Sequence, residues 1–375
     1  MENPIRVLHI VPNMQFGGLE TMIMNIYRNI DRSKVQFDFL VHYTGEYNYD
    51  KEIISLGGKI YRSNVRESGN IVKYIFYLNN LFTSHPEYQI IHSHMPSLAW
   101  IHLMVAKFKH VNTRILHSHN NQCEKTLKGR FKGFLIKLSP YFATHYFACS
   151  KEAGEFLFKR KKFRIINNGI DVDRFLYNQN IRQKIRKEWE LENKIIIGHV
   201  GRFVQSKNHD FLLDIYKRLK QKNSQFALVM IGDGPLRGKI EERINEDNIK
   251  DTLIIPPTKN IEQLYQAMDL FVFPSLFEGL GIVLIEAQSS GLFCLTSKYN
   301  VPDAVSVTSR IEKISLTEGV EKWISAISNF DQSYNREKID LSELRNSFDI
   351  KQVAKKMQLF YMERYERYKY ENSNN

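Results

Sequence analysis

The chain is patterned as short, nearly continuous apolar runs, each followed by a stretch whose apolar residues recur every three or four positions. The runs read as strands. In the first series they are "IRVLHIVP" (5–12), "VQFDFLVHY" (35–43), "YQIIHSHM" (88–95) and "TRILHSHN" (113–120), followed by "HYFACS" and "FRIINNGID". Between them, "GGLETMIMNIYRNI" and "SLAWIHLMVAKFKH" carry helical spacing. A second series begins at "KIIIGHVG" (194–201). It continues with "FALVMIGDG" (226–234), "TLIIPP" (252–257), "LFVFPS" (270–275) and "FCLTSK" (293–298). Strands that do not alternate are apolar on both faces, as in a parallel sheet covered by helices on each side. Two such series predict two doubly wound α/β domains, parted near the turn-rich "NNGID". The stretch 348–370 predicts a long amphipathic helix. A length of 375 residues suits two domains of about 150–200 residues each.

Composition narrows the class. Hydrophobic residues make up 43% and charged residues 25%, which is globular rather than disordered. Cys123, Cys149 and Cys294 are odd in number and far apart. They match neither a zinc spacing nor a disulfide framework, which points to a reducing compartment. No apolar run reaches the roughly 18–20 residues of a membrane span, and "VLHIVP" lacks a signal-peptide layout. The net charge of +12 and a pI near 9.3 favour anionic partners: nucleotides, nucleic acid or anionic lipid.

In open α/β sheets ligands bind beyond the carboxyl ends of the strands, so candidate chemistry is sought there. The first strand runs into Gly17 and Gly18 at a helix start, where glycine admits a close-lying ligand. The same pair would equally make a plain helix-start turn. Arg202 and Lys207 follow the strand that opens the second series and are placed to hold a diphosphate. "GDGPLRGK" looks like a phosphate-binding P-loop but is not one. Gly232 to Gly238 is one residue too long, and Ile240 stands where Ser or Thr would hold magnesium.

The stretch "FEGLGIVLIEAQSSG" carries Glu278 in a loop and Glu286 just over one turn into an apolar helix. A lone buried carboxylate is costly, so Glu286 needs hydrogen-bond donors, and two ribose hydroxyls would suit it. Gly279, Leu280, Gly281 and Ile282 offer backbone N–H groups at a helix N-terminus, which favours an anion.

The chain resembles glycosyltransferase family 4, the retaining nucleotide-sugar transferases of GT-B fold, over nearly its whole length. The signature is glutamate, seven residues, glutamate (Glu278 to Glu286). It is supported by "FGGLE", "HSHN", "ACSK", "NNGIDVDRF", "GRFVQSKNHDFLL" and "IGDGPLR" in order. The resemblance implies two facing Rossmann-like domains with a C-terminal crossover helix. These would be 1–175 plus 348–375 for the acceptor and 176–347 for the donor. It implies Arg202 and Lys207 on the donor diphosphate, Glu286 on the ribose, and Glu278 near the sugar hydroxyls. Residues 279–282 would lie around phosphate and sugar, His119 next to the transferred sugar, and Gly18 in the first domain's glycine loop. Gly17 and His94 are acceptor-side candidates. Relatives often carry proline where Val283 stands, which a helix start tolerates. "IIPPTKN" departs more seriously, because Pro256 and Pro257 remove N–H donors near the base.

The implied donor is a nucleotide sugar, UDP-linked, and the acceptor a glycan or a polyprenyl-diphosphate-linked sugar. The pairs His92/His94 and His117/His119 share strand faces and could hold a metal. Few carboxylates lie nearby and the family resembled is metal-independent, so the reading is no metal and no cofactor. A basic amphipathic stretch suits an anionic membrane surface. It comprises Lys125, Lys128, Arg130, Lys132 and Lys137 among Leu127, Phe131, Phe134, Leu135 and Ile136, with "KRKKFR" (159–164) beyond. The expected location is therefore cytoplasmic and peripheral on the inner membrane face. A nucleic-acid-binding protein has no recognised module here, and a dinucleotide oxidoreductase lacks G-x-G-x-x-G after its first strand. A sugar epimerase or phosphorylase on the same fold stays open.

Overall fold

The computed structural model describes residues 3–15, 17–119, 136–331 and 333–373. The chain divides into two compact units: Met1–Gly169 with Asp349–Asn375, and Ile170–Phe348. The sequence placed the first division at 175/176. It falls earlier because Val172 and Phe175 are buried in the second core, and the Ile170 N–H bonds to the Phe348 carbonyl at 2.8 Å.

The first unit holds a parallel sheet of seven strands: β1 (Ile5–Val11), β2 (Val35–Val41), β3 (Ile60–Arg62), β4 (Ile90–Ser93), β5 (Thr113–Ser118), β6 (His145–Ala148) and β7 (Arg164–Ile165). Their order is β3-β2-β1-β4-β5-β6-β7, so the winding reverses between β1 and β4. β2 is buried at every residue, as strands apolar on both faces require. One core lies between this sheet, the Gly18–Asn29 helix and the Ile350–Ser373 helix. It centres on Phe37, Phe39, Tyr27, Met357 and Tyr361. The C-terminal helix thus returns to the first unit as expected, and covers β1.

The second unit has six parallel strands: β8 (Ile195–Val200), β9 (Phe226–Ile231), β10 (Thr252–Ile255), β11 (Leu270–Phe273), β12 (Phe293–Ser297) and β13 (Ile311–Ile314). Their order is β10-β9-β8-β11-β12-β13, reversing between β8 and β11. Pro256 and Pro257 end β10, an edge strand, where missing N–H groups break no ladder. Among the described residues, no helix is long and apolar enough to cross a membrane.

Candidate active site

Both winding reversals gather polar side chains at the carboxyl ends of their strands. In the second unit the loop after β8 carries Arg202 and Lys207, and the loop after β11 carries Glu278. These loops are laced together. The Leu276 N–H bonds to the Ser206 carbonyl at 2.7 Å, and the Asn208 side-chain amide to the Pro274 carbonyl at 3.1 Å. The Ser275 hydroxyl lies 2.6 Å from the Ser206 carbonyl and 2.5 Å from Glu278 Oε1, and its single proton serves one of them at a time. Lys207 Nζ donates to Glu278 Oε1, with both side chains largely shielded, and also lies 4.9 Å from the Phe273 ring centre. The two charges that the sequence assigned to different parts of a ligand therefore hold each other. Arg202 is exposed, without a side-chain bond among the described residues.

"GDGP" braces this loop. The Phe203 N–H donates to the Asp233 carbonyl at 2.9 Å, and the Leu236 N–H to the Phe203 carbonyl at 3.0 Å. A Cβ on Gly232 would stand 2.0 Å from the Gly201 oxygen, and one on Gly234 2.5 Å from the Phe203 oxygen. Only glycine permits backbones that close. The motif thus positions the Arg202 loop.

The helix Ile282–Ser289 begins at Gly281, which sits at φ +83°, left-handed, without a side-chain cap. The amides of residues 279–282 have no acceptor among the described residues and are available to an anion. No atom would lie within 4 Å of a Cβ on Gly279. Glu286 is partly buried, and Tyr265, wholly buried on the Ile261–Ala267 helix, donates its hydroxyl to Glu286 Oε2 at 2.8 Å. Sequence reasoning demanded a donor for this carboxylate but could not find Tyr265. Desolvation pushes the Glu286 pKa up to about 7, against the Tyr265 hydrogen bond, which pulls it down; nearby Glu262 adds a small rise.

In the first unit, His9 from β1, His92 on β4 with His94 just past its end, and His117 on β5 with His119 just past its end form a stacked array. Ring centres are 4.2 Å apart for His92 and His94, and 4.1 Å for His117 and His119. Two hydrogen-bond chains run through it. His9 Nδ1 meets His94 Nε2 at 3.0 Å, and His94 Nδ1 meets His119 Nε2 at 2.9 Å. His117 Nδ1 meets His92 Nε2 at 3.1 Å, and His92 Nδ1 meets the Tyr361 hydroxyl at 2.7 Å. His94 is therefore not open to an acceptor: it is buried, with both ring nitrogens engaged, and stands behind His119. Desolvation lowers the pKa of all five, to about 3 for His9 and His119. The ring nitrogens of His9, His92 and His94, and of His94, His117 and His119, lie within 4.8 Å of one another, close enough for a cation. No carboxylate joins either group among the described residues.

Gly17 caps the Gly18–Asn29 helix in extended backbone, φ −161°, which any residue adopts. A Cβ there would meet the flexible Glu20 carboxylate, and one on Gly18 would meet nothing within 4 Å. Gly18 leaves open space but no strain demands it. Of the basic amphipathic stretch, all but Ile136 and Lys137 fall outside the described residues, as does Cys123. In "KRKKFR", Lys161 is tied to the Pro140 carbonyl and the Tyr146 hydroxyl, while Lys159, Arg160 and Lys162 are exposed.

Known proteins agree with this architecture. The family described as Glycosyltransferase Family 4 matches residues 16–174, and that described as Glycosyl transferases group 1 matches residues 181–311. EpsF of Bacillus subtilis (strain 168), which carries the name of a glycosyltransferase, is 35% identical over 86% of this chain and 87% of its own. The capsular polysaccharide biosynthesis glycosyltransferase CapH of Staphylococcus aureus is 26% identical over 96% and 99%. An Escherichia coli enzyme is 28% identical over 57% and 59%; it is named UDP-Gal:alpha-D-GlcNAc-diphosphoundecaprenol alpha-1,3-galactosyltransferase. The crystal structure of Anabaena HepE with UDP superposes with a TM-score of 0.75 at 14% identity, over 94% of this chain and 98% of that one. The chain belongs to glycosyltransferase family 4, with two parallel-sheet Rossmann-like units of the GT-B fold.

Proposed function

We propose that this glycosyltransferase takes a hexose or N-acetylhexosamine from a UDP-sugar and transfers it, with retention, to a glycan or polyprenyl-diphosphate-linked sugar in cell-surface polysaccharide synthesis. The observation that carries the proposal is the convergence in the second unit of Lys207, Glu278 and the free amides of 279–282, with Glu286 one helical turn on. An anionic diphosphate is matched by Lys207, exposed Arg202 and those amides. The Glu286 oxygen not held by Tyr265 is left for a ribose hydroxyl. The UDP carried by HepE and the lipid-linked substrate in the E. coli enzyme's name support the substrate classes.

Breaking the anomeric bond gathers negative charge on the diphosphate and positive charge on the sugar ring. Fixed donors aimed at the diphosphate lower the barrier, each worth roughly 2.7–4 kcal/mol at an oxyanion-type site. Lys207, Arg202 and the amides fill that role without a metal. Attack comes from the face the leaving group departs, and the leaving phosphate accepts the acceptor's proton. Glu278 then steadies the sugar hydroxyls once the diphosphate has claimed Lys207. The exposed cations of 159–162 suit contact with the anionic inner face of the cell membrane.

The test is a panel of nucleotide sugars scored for slow hydrolysis, which needs no acceptor. Turnover of one UDP-sugar, lost in Lys207→Ala, is expected. Hydrolysis of none, or of sugars on another base only, refutes the donor assignment.

A further inference from the structure

We propose that His9 and His94 fix the tautomer of His119, so that His119 meets its substrate as an N–H donor at Nδ1 and not as a base. The argument starts from the far end of the chain of rings. His9 Nε2 is buried and has no hydrogen-bond partner among the described residues, and the His9 ring packs against the rings of Phe37 and Phe39. A neutral imidazole carries one N–H and one lone pair. A buried N–H without an acceptor is rarer and costlier than an unused lone pair. The His9 proton therefore sits on Nδ1, where it donates to His94 Nε2 across 3.0 Å.

The rest follows by elimination. His94 accepts at Nε2, so its own proton is on Nδ1 and donates to His119 Nε2 across 2.9 Å. His119 accepts at Nε2, so its proton is on Nδ1. That atom has no partner among the described residues, and the His119 side chain is the part of this chain that is not fully buried. The opposite polarity would reverse both bonds and leave a buried N–H on His9 Nε2 with no acceptor among the described residues. Burial keeps the rings uncharged near neutrality, so no added proton blurs the order. His9 and His94 are thus positioning residues. A donor at His119 suits a sugar hydroxyl or ring oxygen that gains electron density, whereas a lone pair there would suit proton removal.

This inference rests on the reading of His119 as a substrate-contacting residue, and the experiment separates the two. Selectively ¹⁵N-histidine-labelled full-length protein is examined by long-range ¹H–¹⁵N correlation, which distinguishes protonated from unprotonated ring nitrogens. His119→Gln identifies the His119 signals among the 12 histidines. Wild type is expected to show Nδ1 protonated and Nε2 bare. His9→Phe removes the anchor and should give His119 mixed tautomers, with kcat for UDP-glucose or UDP-galactose hydrolysis about five- to tenfold lower and KM unchanged. His9→Asn keeps a donor near the Nδ1 position and should restore both. Wild-type protein with Nδ1 of His119 bare overturns the proposal, as does His9→Phe protein with unaltered His119 signals. His119→Ala with wild-type hydrolysis would instead overturn the substrate-contact reading and leave the tautomer assignment standing.

Discussion

Replacing Glu286 with glutamine should make the protein more stable at pH 8 while impairing it. Glutamine keeps the oxygen that accepts the Tyr265 hydroxyl and removes the charge. The folded-state pKa of Glu286 is raised from 4.5 to about 7, so the folded chain favours the protonated acid more than the unfolded chain does. The sign is fixed by that direction: below about pH 4.5 both states hold the proton, and stability is lost as pH climbs from there through 7. At about 1.36 kcal/mol per pH unit, the ionised group costs roughly 3 kcal/mol of stability by pH 8. Glu286→Gln should therefore match wild type near pH 4 and exceed it by up to roughly 3 kcal/mol at pH 8, with a midpoint several degrees higher. Denaturant unfolding of both proteins at one-unit intervals from pH 4 to 8 measures the difference directly, and other titrating groups cancel in the subtraction. Donor KM should rise in the mutant and lose the wild-type improvement between about pH 6 and 8, where the carboxylate forms. A mutant less stable than wild type at pH 8, or a difference independent of pH, would show that the charge belongs to the structure. The stabilisation expected here is the mark of a group held for binding.

Arg202→Ala and Lys207→Ala should each weaken UDP binding at least about tenfold in calorimetric titration, the value of a charge-assisted contact. Glu278→Gln should lower kcat while leaving UDP affinity equal to or above wild type, because Lys207 loses its internal partner; weaker UDP binding in this variant would contradict that. Gly234→Ala forces a Cβ to 2.5 Å from the Phe203 carbonyl and should cost the second unit about 1–3 kcal/mol with weaker UDP binding; wild-type unfolding and binding would show the brace unnecessary. Transfer should survive EDTA, and activity lost on chelation and restored by Mn²⁺ or Mg²⁺ would refute metal independence.

The central strands were legible because both their faces are buried and the sequence there is apolar without interruption. The edge strands β3 and β13 were not, although the edge strand β10 was, as "TLIIPP". "IYR" of β3 and "IEKI" of β13 are half exposed and carry charges, so no apolar run marks them. "FRIINNGID" yields only the two-residue β7, exposed on the sheet edge. Glu278, Glu286, Arg202 and Lys207 were singled out through spacing and strand position as candidates, but their mutual contacts were not legible there. Tyr265 is 21 residues from Glu286, and only packing of two helices brings them together. His9 lies inside an apolar run and read as core. Its place in the histidine array becomes visible only when parallel pairing sets it beside His92 on the neighbouring strand. The glycines of "GDGP" read only as a strand end and a rejected P-loop, and their reason is a neighbouring backbone contributed by a different loop.

On the proposed function, the Lys207–Glu278 pair would make loading of the second unit an exchange of partners. An arriving diphosphate would have to outcompete an internal carboxylate for one ammonium group. The liberated carboxylate would then be free only while the ligand is in place, and its availability would report that the donor has arrived. When the sugar had left, the same carboxylate would compete for the lysine and hasten the loss of UDP. A single ion pair would thereby couple readiness for chemistry to loading, and clearance of the spent nucleotide to completion of transfer.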